Sequence, residues 1–129
     1  MNTTERRDLL TTFPNTENKL DYVVTLIDEI GTTPESKPAI VHLRYVPDKA
    51  VVDEVSFRRY LNALAKTDWQ TFEELAALIL HDFNNEIVAR WTQVTVSNPA
   101  ASKWSKFGHT VTIEDRQPHW DNPDILSRL

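Results

Sequence analysis

Cysteine is missing from this chain altogether, which excludes disulfides, thiolate metal sites, iron–sulfur clusters and any covalent mechanism through a thiol. Glycine is nearly missing too. With only Gly31 and Gly108 present, neither a Walker loop nor a dinucleotide-type glycine loop can be written anywhere. Long apolar runs are lacking: Leu75–Leu80 falls far short of the ~20 residues that cross a bilayer. The opening Met1-Asn2-Thr3-Thr4-Glu5-Arg6-Arg7-Asp8 has no apolar segment behind a positive one, so neither a membrane anchor nor a secretory signal is expected. Basic residues are outnumbered 14 to 19, for a net charge of -5. Such a surface repels phosphate backbones and disfavours a nucleic-acid partner. A soluble cytoplasmic protein is the expectation.

What is present fits one domain spanning 1–129: the chain has 129 residues, of which 40% are hydrophobic and 26% charged. Residues 1–18 are polar and read as an irregular lead-in. From Tyr22 to Ile30 a β-branched run places Tyr22, Val24 and Leu26 on one face of a strand. Residues 31–38, with two prolines, form a loop. A second strand follows at Ala39–Val46, with Val41, Leu43 and Tyr45 on one face and Ile40, His42 and Arg44 on the other. Phe57, Tyr60, Leu61 and Leu64 then recur at helical spacing over about 53–66. Thr71-Phe72-Glu73-Glu74 has the capping-box pattern and opens a longer helix to about Arg90. Trp91–Ser97 and Thr110–Glu114 read as strands, and 116–129 as an irregular tail with a short helical turn. The order ββααββ describes an α+β unit in which two helices cover one face of a four-stranded antiparallel sheet. Closing such sheets from neighbouring subunits into a barrel would remove their open edges, so a homo-oligomer is expected.

Four phrases carry a resemblance. Phe13-Pro14-Asn15 is followed by Asp21-Tyr22; Tyr45-Val46-Pro47-Asp48 ends the second strand; Asp53-Glu54-Val55-Ser56-Phe57-Arg58-Arg59-Tyr60 opens the first helix; Thr71-Phe72-Glu73-Glu74 opens the second. In that order they resemble phrases of the QueF family, the NADPH-dependent reductases that convert 7-cyano-7-deazaguanine to its aminomethyl form in queuosine biosynthesis. The third phrase is similar to the family's Glu-Ser-Lys-Ser-x-Lys-x-Tyr and the fourth to its Phe-His-Glu. The resemblance implies the tunnelling fold, with pockets between protomers. It also implies that Glu73 is the glutamate that accepts two hydrogen bonds from the N–H edge of a purine- or pterin-like ring. A carboxylate is the side chain suited to two parallel donors, and a helix N-terminus favours its ionised form. The bland alternative is that Glu73 is a solvated first-turn residue. Ser56, Asp53, Thr33 and His42 are secondary ligand-binding candidates.

The departures point away from the family's chemistry. A cysteine after its first strand forms a thioimide with the nitrile; here that loop holds only Thr32, Thr33 and Ser36 as nucleophilic atoms, and an unassisted hydroxyl needs an adjacent base. Of the two motif lysines, one is replaced by Val55 and the other by Arg58. NADPH is therefore implied by resemblance alone, with Arg58 as its one cofactor-binding candidate. Three readings stay open: a binding protein for a purine- or 7-deazapurine-type heterocycle, an oxidoreductase or other enzyme of 7-deazaguanine metabolism, and a scaffold with a vestigial pocket.

The remaining candidates have ordinary explanations. His42, His81, His109 and His119 lack metal-ligand spacing and read as surface or packing residues. Asp53 reads as a helix N-cap, and Asp82 as a residue on the polar side of the longer helix. Trp69, Trp91, Trp104 and Trp120 suit cores and interfaces before ligand stacking. Lys103, Lys106 and Arg116 read as solvated surface.

Overall fold

A computed structural model describes residues 1–30, 38–98 and 108–129. In chain order the elements are α1 (Thr3–Arg7), β1 (Thr12–Pro14), β2 (Val24–Ile30), β3 (Ala39–Val46), β4 (Ala50–Val52), α2 (Glu54–Leu64), α3 (Phe72–Ile87), β5 (Trp91–Ser97), β6 (Thr110–Arg116) and α4 (Pro123–Leu126). The main sheet runs β2-β3-β5-β6, antiparallel throughout. Strand alternation sorts its side chains: Val41, Leu43, Tyr45, Val94 and Val96 are buried on one face, where α2 and α3 add Phe57, Tyr60, Leu61, Leu64, Leu75, Ile79 and Phe83 to the same core. The edge of Tyr45 packs on Phe83 at 4.9 Å between ring centroids. The fold is α+β, as expected.

The opposite face is polar and carries cross-strand rows such as Ile27–His42–Thr95–Thr112, with the two threonine hydroxyls 3.0 Å apart. One end of it is covered. Trp91, only 1% exposed, donates through Nε1 to Glu114 at 2.7 Å. It lines a cleft of about 330 Å³ with Arg44, Gln93, Arg116, Leu126 and Leu129. The outer edges of β2 and β6 have no strand partner among the described residues.

Two local expectations need correction. The lead-in is not irregular: it forms α1 and β1, and β1 pairs with β4 from Thr12↔Val52 to Pro14↔Ala50. A three-residue strand carries too little alternation to be legible before its partner is known. The longer helix stops at Ile87 rather than near Arg90, because Val88 turns into the left-handed region at φ 52, ψ 53 and its N–H closes on Asn84. A β-branched residue is strained in that conformation. The tail holds the short helix α4 and is tied down, with Trp120 Nε1 and Asn122 Nδ2 donating to Asp21 at 3.2 and 3.0 Å.

The phrases that carried the resemblance hold the fold together. Asn15 receives the Tyr22 hydroxyl at 2.6 Å and donates to the Asp48 carbonyl at 2.8 Å. Arg90 pairs with Asp21 and Asp48 at 3.1 and 3.3 Å. Lead-in, second-strand end and tail thus meet in one polar knot. No helix among the described residues is long and apolar enough to cross a membrane.

Candidate functional site

The head of α3 is built by its capping sequence. The Thr71 hydroxyl accepts from the Glu74 N–H at 3.1 Å. The Glu74 carboxylate turns back to accept the Gln70 N–H at 3.3 Å, one residue earlier than a regular capping box would place it. The structure separates the two acids by what they already hold: Glu74 closes the helix end, and the neighbouring carboxylate of Glu73 points outward.

Glu73 is not loose. His109, in the turn leading into β6, places Nε2 3.1 Å from Glu73 Oε1, with 59% of the Glu73 side chain exposed. The His109 ring stacks on Phe72 at 5.1 Å and 29°, and Phe72 in turn packs on Trp69 at 6.3 Å. The Glu73 backbone N–H and then His109 hold this carboxyl below its ordinary value, with a smaller pull from Thr71. An ionised carboxylate beside an aromatic row can accept the paired N–H donors of a flat heterocycle. The sequence offered no signal for His109, which lies 36 residues away and meets Glu73 only through the packing of β6 against α3.

The other expected site residues lie elsewhere on the chain. Ser56 is fully buried. Its hydroxyl accepts the Thr11 N–H at 3.1 Å and donates to the Asp53 carbonyl at 2.7 Å, anchoring the lead-in on α2. Asp53 is the N-cap of α2 by position but makes no side-chain capping bond; its carboxylate meets the Thr11 hydroxyl at 3.4 Å. His42 sits on the polar face of the sheet, away from the helices. Thr33, Trp104, Lys103 and Lys106 lie outside the described residues. Arg58 pairs with Glu54 at 3.0 Å beside a shallow cleft of about 180 Å³ that also includes Thr25, Ile27 and Phe57. Position 55, a lysine in the family motif, exposes an apolar valine. A space of that size is below the ~300–1,000 Å³ usual for ligand pockets, and one already paired cation is a poor match for a dinucleotide's phosphates. These residues do not fit NADPH.

Asp82 is the largest surprise. Far from lying on a solvated side, its carboxylate is 1% exposed and accepts from Arg6 Nε at 2.5 Å and Arg7 Nε at 2.8 Å. The Tyr60 hydroxyl donates to it at 2.6 Å. Burial pushes its pKa up, but the donors Arg6, Tyr60 and Arg7 outweigh burial and leave it lowered. Two of its partners, Arg6 and Arg7, come from α1, a stretch with no readable pattern. All its capacity is used internally, so it is structural.

No protein-family model matches the chain. Over 121 residues it is 28% identical to the NADPH-dependent 7-cyano-7-deazaguanine reductase of Syntrophus aciditrophicus (strain SB), covering 88% of this chain and 82% of that protein. Its fold matches the crystal structure of the archaeosine synthase QueF-Like in the apo form, with a TM-score of 0.56 at 18% identity, covering 73% of this chain and 91% of that one. Fold and sequence together define a tunnelling-fold domain. More particularly, the chain is similar in sequence to a QueF reductase, and it contains no cysteine.

Proposed function

We propose that this protein binds a purine- or 7-deazapurine-type heterocycle edge-on through Glu73, in a hollow completed by a neighbouring subunit, and does not reduce nitriles by the cysteine route. The observation that carries this is the outward, ionised Glu73 carboxylate at the head of α3, flanked by His109 and Phe72. The outer edges of β2 and β6, unpartnered among the described residues, support assembly into a homo-oligomeric barrel, which would wall the hollow around Glu73. The relative's name supplies the ligand class.

Calorimetry with 7-cyano-7-deazaguanine, guanine and a pterin tests it. One of these should bind, and Glu73→Gln should weaken that binding by roughly 10- to 100-fold, the range for hydrogen bonds to a charged group. Loss with Glu74→Gln instead would move the anchor one residue along. Silence from all three ligands would leave a scaffold.

The 28% identity to a reductase favours one other reading, that of an enzyme in 7-deazaguanine metabolism. Following NADPH absorbance with the nitrile present decides it: steady turnover would overturn the binding-only proposal.

A further inference from the structure

We infer that His109 is a positioning residue for Glu73, pinning one carboxylate oxygen so that the other edge stays presented to a ligand; this rests on the ligand reading above. Three separate constraints fix the imidazole. Its backbone is bracketed by Asn98, whose N–H donates to the His109 carbonyl at 3.1 Å and whose Oδ1 accepts the His109 N–H at 2.6 Å. Its ring lies on Phe72, which is itself buried in the core. Its Nε2 meets Glu73 Oε1 at 3.1 Å.

Such bracing matters because a glutamate at an exposed position otherwise samples many rotamers, and ordering it on binding costs affinity. The contact from His109 restricts that freedom, and with 59% of its side chain exposed the carboxylate stays accessible to a ligand's N–H donors. The brace connects β5, through Asn98 at its end, to the head of α3, so a local contact is referenced to the rigid sheet.

The test compares wild type, His109→Ala and His109→Gln by calorimetry with 7-cyano-7-deazaguanine and guanine, and follows the Glu73 carboxyl carbon by NMR through an acid titration. His109→Ala should weaken binding by roughly 3- to 10-fold, the range for one ordinary hydrogen bond. It should also raise the Glu73 titration midpoint. His109→Gln, whose amide can donate from nearly the same place, should recover part of both. Unaltered affinity in His109→Ala overturns the inference alone, as does weakened affinity with an unchanged Glu73 midpoint. No binding by wild type overturns the ligand reading and this inference with it.

Discussion

Glu73 and Asp82 stand nine residues apart on α3, and at 100° per residue that sets them on opposite faces of the helix. Both carboxyls are held below their ordinary values, for different reasons. Asp82 overcomes burial through Arg6, Tyr60 and Arg7; Glu73 is lowered by its own backbone N–H and by His109 in the open. The first has no capacity left for anything outside the chain. The second is more than half exposed and open to an outside donor. A depressed carboxyl therefore marks a candidate site only when its donors leave lone pairs over, and a fully paired buried acid is a clasp.

The comparison breaks most visibly at Asp82. Asp82→Ala leaves Arg6 buried without its counter-charge, and urea unfolding should show a loss of about 3–5 kcal/mol. Adding Arg6→Met should recover part of it, because the stranded cation is then gone. A loss under about 1 kcal/mol would show that the cluster is not a clasp.

Acid sharpens the contrast next. The folded pKa of Asp82 lies below the unfolded value of about 3.9. Its stabilisation is therefore present above that value and fades as pH falls through the folded pKa. Stability measured from pH 6 downward should fall less steeply in Asp82→Asn than in wild type. Equal slopes would count against the pairing.

At the far end of the helix, Val88→Gly should raise stability by up to about 1 kcal/mol, because glycine adopts the left-handed turn freely. A clear loss would mean that the valine side chain contributes more than its strain costs.

The smallest change belongs to Glu73. Glu73→Gln should shift unfolding stability by less than about 0.5 kcal/mol, as at other exposed positions. A large loss would make Glu73 a structural residue like Asp82.

The strands and long helices were legible because their signals are local. Ala39–Val46 and Trp91–Ser97 alternate strongly enough to be read to their ends, and the stripe Phe57, Tyr60, Leu61 and Leu64 announces α2 before any packing is known. The candidate site was half legible. Glu73 followed from the capping box and the resemblance, whereas His109 looked like any surface histidine.

By itself, the chain's order of residues determined the four strands of the main sheet, the two long helices, the two-layer arrangement and the loss of thiol chemistry, since periodicity and composition act over short stretches or over the whole. Only the tertiary structure decided that Arg6 and Arg7 clasp Asp82, that Ser56 anchors the lead-in, and that His109 braces Glu73. Each is a contact between residues 36 to 76 positions apart, and no local pattern encodes which distant donor will meet a given acceptor once the sheet has brought them together.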